Sequence, residues 1–263
     1  MNSANLLPVA VSLLVCCGIM FVVWLWAVQI KNGGVVDIFW SYNFPVIAII
    51  LLIMAEGFPP RIFLICGMVI IWGLRLGTHL GNRVLSHIHE EEGRYAQLRK
   101  DWAPREDRKL FWFFQAQAFS NVLLAIPFFI ITSNSEPDLS YFEYTGLAIW
   151  ILALSGESLA DWQLDQFKKN PLNKGKVCDY GLWNYSRHPN YFFEWLIWVS
   201  YFIFALGSPY GLVAVISPAI ILYLLLNVTG IPATEEQSIR TKGDLYKKYQ
   251  QTTSAFVPWF RKS

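Results

Sequence analysis

Long apolar stretches separated by short polar segments dominate the chain. They recur at about residues 6–30, 38–55, 60–74, 110–132, 142–160, 191–207 and 210–229. A helix of about 20 apolar residues crosses the hydrocarbon core of a bilayer, and shorter stretches can span it with flanking turns. The pattern therefore predicts an all-α integral membrane bundle of about seven transmembrane helices.

The lysines and arginines are divided unevenly among the polar segments. If the N-terminus lies outside, 20 of the 21 fall on the cytoplasmic side and only Arg61 falls outside. Short loops rich in Lys and Arg stay in the cytoplasm. We therefore expect an outside N-terminus and a cytoplasmic C-terminus. The polar segments 75–109, 161–190 and 230–263 then share the cytoplasmic face.

Composition supports a membrane protein and excludes several classes of function. The 263 residues are 54% hydrophobic and 15% charged, with a net charge of +2, whereas soluble proteins average about 25% charged residues. The uncharged residues 1–30 lack the features of a cleaved secretory signal, so we expect them to be retained. No basic run suits nucleic acid. The four cysteines have no metal-ligand spacing, which predicts neither a disulfide framework nor a metal site.

The stretch "GLWNYSRHPNYFFEW" places polar side chains at the start of an apolar segment. Pro189 favours a helix start at that point, because proline is accepted in the first turn and restricts the residue before it. Arg187, His188 and Asn190 would then surround a helix N-terminus, which attracts anions. Glu194 would lie one turn deeper as a functional candidate, or would simply pair with a nearby cation.

Two further polar stretches lie on either side of this segment. Glu157, Asp161 and Asp165 share one helix face, and the lysines that follow could hold phosphate or could only fix the topology. Near the C-terminus, Glu235 precedes a short amphipathic stretch that fits either an interfacial helix or a lid over a ligand. In the first third of the chain, Asp37 could form a structural ion pair or act in catalysis.

These motifs, in this order, resemble the bacterial DUF1295 family of membrane proteins, which is related to steroid 5-alpha-reductases and to sterol reductases. The resemblance covers most of the chain after the first helix and rests on "VDIFWSYNF", "WGLRLGTHLGNR", "RYAQLRKDW", "GLWNYSRHPNYFFEW" and "TSAFVPW". It implies one transmembrane domain over residues 1–263, with a cofactor-binding C-terminal half at about 142–263. It also implies NADPH-dependent reduction of a C=C bond conjugated to a carbonyl in a steroid- or isoprenoid-like substrate that enters from the lipid.

The resemblance also assigns the cofactor residues by position. Steroid reductases carry arginine at the positions of Lys168 and Lys176. Lysine keeps the positive charge but cannot bind phosphate in the bidentate manner of arginine. The cofactor-binding residues implied by the resemblance are Asp161, Lys168, Asn173, Lys176, Arg187, Asn190, Glu194, Glu235, Tyr246 and Tyr249, and the predicted set adds Trp183, His188 and Tyr191.

The proton donor is the point at which this chain departs from the steroid reductases. Their third helix carries a His-Tyr pair, whereas this chain has His79 followed by Leu80. Tyr95, His79 or a protonated Asp37 could supply the proton instead. With Glu194, these residues form the predicted catalytic set.

A second resemblance keeps another activity open. The "RHPNY" start and the Glu235–Glu236 pair are similar to isoprenylcysteine and phospholipid methyltransferases, which use S-adenosylmethionine. The arginine that usually precedes the pair is absent here, so we favour the reductase. A purely structural membrane scaffold is the third hypothesis. We expect a monomer in a bacterial inner membrane, or in the endoplasmic reticulum of a eukaryote, with NADPH, membrane lipids and a lipophilic substrate as its partners.

Overall fold

The computed structural model of the chain describes residues 3–91 and 93–261, and all regular secondary structure in this part is helical. The prediction of an all-α protein is confirmed. The α-helices are α1 (Ser3–Ile30), α2 (Val35–Met54), α3 (Pro59–Leu85), α4 (Gly93–Trp102), α5 (Glu106–Leu124), α6 (Ile126–Thr132), α7 (Tyr141–Lys169), α8 (Pro189–Ala205), α9 (Ile216–Tyr223), α10 (Ile231–Lys242) and α11 (Asp244–Thr252).

Five helical segments are long and apolar enough to cross a membrane, which supports a multi-pass membrane protein. They are Leu6–Ile30, Val35–Met54, Pro59–Leu85, Glu106–Thr132 and Gly211–Lys242. The other two predicted spans correspond to α7, whose second half is charged, and to α8, which has 17 residues. The count of seven and the orientation of the termini stay predictions.

Several helix boundaries differ from those predicted. The third apolar stretch continues to Leu85, so the polar residues from Arg75 onward lie on the same helix as the apolar ones. The fourth is divided between α5 and α6 at Ala125, just before Pro127. The seventh is irregular, since a π-helical turn at Leu224–Val228 separates α9 from α10. Helix breaks of this kind are typical where proline or an inserted residue interrupts the backbone ladder.

The described chain forms two compact units. The N-terminal unit contains the residues up to Leu139 together with Ser208–Gly211. Inside it, α2 and α3 approach closely because Gly73 faces Pro45 and Gly77 faces the ring of Tyr42. Such small residues allow two membrane helices to pack without side chains between their backbones.

The C-terminal unit contains Ser140–Gly207 and the residues from Leu212 onward. Its core is the pair α7 and α8, which approach where Gly146 faces Phe204 and Gly156 faces the ring of Phe193. A capping box formed by Ser140 and Glu143 fixes the start of α7. All of the predicted cofactor-binding residues lie in this unit.

Candidate functional site

Glu235 on α10 is the centre of a polar cluster in the C-terminal unit. The Nε of Arg187 donates to its Oε1 at 2.6 Å, and the Nε2 of Gln250 donates to its Oε2 at 2.7 Å. The Nη1 of Arg187 also donates to the backbone carbonyls of Gln250 and Thr253. These bonds join the segment before α8 to α10 and to the end of α11, so Arg187 and Glu235 act as a clamp.

His188 completes the same cluster from the N-terminal end of α8. Its Nε2 lies 3.3 Å from the Oε1 of Glu235, and its backbone N–H donates to the Oγ of Ser186 at 3.1 Å. The ring stacks on Tyr191 with centroids 5.3 Å apart, and the hydroxyl of Tyr191 lies 3.0 Å from that of Thr234. Burial lowers the pKa of His188, which favours the neutral imidazole. A neutral ring can donate to the Glu235 carboxylate only when its hydrogen is on Nε2.

The two tyrosines of α11 face inward to the same cluster. Tyr246 donates to the Oε1 of Glu235 at 3.5 Å, and Tyr249 donates to the backbone carbonyls of Trp183 and Ser186. Both rings are buried, and burial raises the pKa of each hydroxyl. They remain protonated donors near neutral pH. The indole of Trp183 donates to the carbonyl of Ala160 at 2.9 Å, and this bond connects the loop before α8 to α7.

A second contact joins α7 to the start of α8. The side-chain amide of Asn190 donates to the Oδ1 of Asp161 at 3.2 Å, and Asp161 is buried. One turn deeper on α8, the Oε1 of Glu194 accepts a bond from the indole of Trp198 at 3.0 Å. The structure therefore brings Asp161 and Asn190 together, and it places half-buried Glu194 one helix turn after Asn190 on α8.

The predicted phosphate ligands lie at the exposed end of the C-terminal unit. Lys168 and Lys176 are exposed, and the amide of Asn173 donates to the carbonyl of Phe167 at 3.0 Å. Lys242, at the end of α10, lies close enough to Lys168 for the two charges to interact. The sequence did not single out Lys242, because its proximity to Lys168, 74 positions earlier in the chain, arises only from the tertiary structure.

Buried Cys178 lies beside these cations. Burial raises the pKa of its thiol to about 11, and the charges of Lys242 and Lys168 oppose this rise. The thiol is therefore protonated near neutral pH and unsuited to act as a nucleophile. All four cysteines of the chain are free thiols.

The N-terminal unit contains a separate acid pair. The hydroxyl of Tyr95, on α4, donates to the Oδ1 of Asp37, on α2, at 2.7 Å. Tyr95 is 2% exposed. Gly33 permits this packing, because a Cβ at that position would lie 3.1 Å from the Cδ1 of Tyr95. The structure thus joins the candidate proton donors Tyr95 and Asp37, and His79 is half-buried on α3.

An ion pair fixes the segment that carries Tyr95. Glu91 accepts from the Nε and Nη2 of Arg99 at 3.1 and 3.0 Å, and its Oε1 accepts the backbone N–H of Gly33 at 2.8 Å. The hydrogen bond raises the pKa of Arg99 further above its ordinary value. Glu91 therefore connects α4 to the turn that precedes α2. Sequence patterns missed this role because 58 residues separate Gly33 from Glu91.

Comparisons with known proteins point to one family. A protein family described as "Protein of unknown function (DUF1295)" matches residues 23–253. An uncharacterized protein of Schizosaccharomyces pombe is 24% identical over 286 aligned positions, which cover 97% of this chain and 80% of that protein. A probable O-methyltransferase, ustE, of Ustilaginoidea virens is 35% identical over 92 residues, or 35% of this chain and 31% of that protein. No solved structure matches the chain.

Proposed function

The chain belongs to the DUF1295 family, and we propose that it is an NADPH-dependent membrane reductase. Its substrate would be lipophilic and steroid- or isoprenoid-like, with a C=C bond conjugated to a carbonyl. The family resembles steroid 5-alpha-reductases in the motifs around Asp37 and Asn190. Five apolar helices support a location in a membrane, from which such a substrate could enter.

The bond between the Tyr95 hydroxyl and the Asp37 carboxylate carries the proposal. Reduction of a conjugated C=C bond adds a hydride to the β-carbon and a proton to the α-carbon. In the proposed step a protonated Asp37 donates to the phenol oxygen, the phenol proton turns to the carbonyl oxygen of the substrate, and the carboxylic acid then reprotonates the tyrosine and is left as a carboxylate that water reprotonates. This pair supplies the tyrosine that the chain lacks at Leu80. Transfer of a methyl group to an anionic acceptor would need no such proton donor.

The donors of the C-terminal unit suit a dinucleotide. The cations Lys168 and Lys242 can bind phosphate through charge-assisted bonds, and the Asn190–Asp161 pair offers an amide and a carboxylate for hydroxyl or amide groups. Bound NADPH would supply the hydride. Arg187 uses its Nε and Nη1 within the protein, so its proposed part is to hold the N-terminal end of α8 in place beside Asn190.

Titration of the purified protein with nucleotides tests the cofactor. We expect NADPH to raise the thermal unfolding temperature in detergent, and Asn190→Ala to remove that shift. Oxidation of NADPH should then accelerate when lipophilic enones are added. If S-adenosylmethionine stabilises the protein and NADPH does not, the reductase proposal is wrong.

The similarity to a probable O-methyltransferase favours a second candidate function. In that case the chain would transfer a methyl group from S-adenosylmethionine to a lipid. The same titration separates the two candidates, and transfer of a labelled methyl group to lipid extracts would then identify the acceptor. If the protein is a scaffold without catalytic function, neither NADPH nor S-adenosylmethionine should shift the unfolding temperature.

A further inference from the structure

Exposed aromatic side chains gather at one end of the C-terminal unit. Their exposed fractions range from 40% for Tyr185 to 75% for Phe260, which is unusual for large rings in an ordered segment. We name this set the aromatic surface, and it consists of Trp162, Tyr180, Tyr185, Trp259 and Phe260.

Hydrogen bonds and ring contacts bring these residues close together in two groups, which the bond from Arg261 to Asp179 connects. Tyr180 donates to the carbonyl of Gln163, the neighbour of Trp162, at 2.7 Å. The backbone N–H of Trp259 donates to the carbonyl of Tyr185 at 2.9 Å, and the rings of Tyr185 and Phe260 meet edge to face at 6.1 Å. The surface thus combines the end of α7, the loop before α8 and the C-terminal segment.

The C-terminal segment is held firmly in this position. Ser254 pairs with Ser186 in a parallel bridge, and the hydroxyl of Ser186 donates to the carbonyl of Phe256 at 2.8 Å. Arg261 bonds Asp179 at 3.1 Å and lies over the ring of Tyr249. The exposure of Trp259 and Phe260 therefore belongs to the folded arrangement of the segment.

The exposed face of α7 leads directly to this surface. Tyr141 and Tyr144 lie at its start and Trp162 lies near its end, and the exposed residues between them include Ile151 and Leu159. At 1.5 Å per residue, the distance from Tyr141 to Trp162 is about 31 Å, which matches the hydrocarbon core of a bilayer, about 30 Å thick. An apolar stripe of bilayer length with aromatic rings at both ends is typical of a lipid-facing helix.

We propose that the aromatic surface lies in the headgroup layer of the membrane, where it anchors the C-terminal segment 257–261. The indole and phenol rings suit this layer because one end of each is apolar and the other can bond water or lipid oxygens. Arg261, which is paired with Asp179 beside the rings, keeps guanidinium donors that can bond lipid phosphates. The partner is therefore the phospholipid interface.

The chain after α10 would contact the membrane through residues 257–261 and not through α11. Tyr246 and Tyr249 direct the aromatic face of α11 into the protein, so α11 is not an amphipathic helix lying on the bilayer. The anchor is the segment after it. Because residues 254–259 pair with residues 185–187, contact of the following residues with the membrane also supports the clamp at Arg187.

Depth measurements in vesicles test the anchor. Trp259→Cys is labelled with a fluorophore sensitive to polarity, and the protein is reconstituted into vesicles of phosphatidylcholine and phosphatidylglycerol. We expect blue-shifted emission and several-fold stronger quenching by lipids with a nitroxide near the headgroup than by iodide in the water. Phe260→Cys repeats the measurement in case the first variant fails to fold.

Three controls calibrate the quenching of an exposed position, the quenching of a position in the bilayer, and the background labelling. Lys248→Cys, on the exposed face of α11, should be quenched by iodide, and Ile151→Cys, in the middle of α7, should be quenched by nitroxides deep in the chains. The wild-type protein gives the background labelling of its own four cysteines. Equal iodide quenching at positions 259 and 248 overturns the proposal. Protection of position 259 from both quenchers also overturns it, because a second copy or another protein would then cover the surface.

Discussion

Glu235 in the C-terminal unit and Asp37 in the N-terminal unit each accept hydrogen bonds from side chains of other segments. The donors around Glu235 are a guanidinium, an imidazole, an amide and a phenol, between 2.6 and 3.5 Å away. Asp37 accepts the phenol of Tyr95 at 2.7 Å. The guanidinium of Arg187 holds Glu235 as an anion, whereas the bond between Tyr95 and Asp37 joins two groups that can pass a proton between them. The first arrangement suits a clamp and the second suits proton transfer.

The largest expected effect concerns the phenol of Tyr95. Tyr95→Phe should lower the rate of enone reduction by about 10²–10⁴-fold, because the phenylalanine ring keeps the packing but removes the acid. The thermal shift produced by NADPH should persist. Steady-state NADPH oxidation measures the rate, and Tyr42→Phe in the same unit, which loses a 3.3 Å contact with Thr78, is the control. Equal rates in both variants would show that Tyr95 is not the donor.

Loss of the charge on Glu235 should mainly change stability. Glu235→Gln removes the anion that faces Arg187, whose side chain is 11% exposed. We expect a loss of about 1.5–3 kcal/mol in the free energy of unfolding, as for other charge-assisted bonds. Denaturant unfolding in detergent measures it. The neighbouring Glu236, 64% exposed in an ion pair with Arg240, should lose at most about 1 kcal/mol in Glu236→Gln. Similar losses in both variants would contradict the clamp.

A smaller effect is expected at the ion pair that supports Tyr95. Glu91→Gln weakens the bonds to Arg99 and to the N–H of Gly33. We expect kcat to fall by about tenfold, equivalent to about 1.4 kcal/mol, because Tyr95 would be less precisely directed at Asp37. The NADPH-induced thermal shift should not change. Exposed Glu90 provides the matched control, and a parallel loss of nucleotide binding in Glu91→Gln would show a general structural defect instead.

The smallest effect is a dependence of stability on pH at the Glu235 cluster. Burial lowers the pKa of His188 in the folded state, while the unfolded value is about 6.5. Between these two values the unfolded chain binds more protons, so stability is complete above the unfolded pKa and falls as the pH decreases through it. Unfolding temperatures between pH 8 and 5.5 should therefore decrease less in His188→Gln. His89→Gln, at an exposed position, should retain the wild-type slope, and an unchanged slope in His188→Gln would refute this explanation.

The helices of this protein could be predicted from the sequence because their causes are local. Apolar stretches of sufficient length and the start of α8 at Pro189 follow from side-chain polarity and backbone preference within a few residues. The same local patterns identified Glu235 and Arg187 as candidates, whereas Tyr95 became one through the resemblance to steroid reductases.

The partners of those residues could not be predicted in the same way. Tyr95 meets Asp37 across 58 residues and Arg187 meets Glu235 across 48. Which side chains meet over such separations depends on how the helices pack, and the packing energy is shared by the whole unit. The sequence therefore left Tyr95, His79 and Asp37 as equal candidates for the donor.

The sequence by itself determined a helical membrane protein of the DUF1295 family and the segments that contain its polar chemistry. Only the tertiary structure decided that Tyr95 bonds Asp37, that Arg187 is held by Glu235, and that α11 faces inward while Trp259 and Phe260 face outward. Periodicity along one helix shows which face is apolar, but it does not show what covers that face. That choice is made when distant segments compete for the same buried surface.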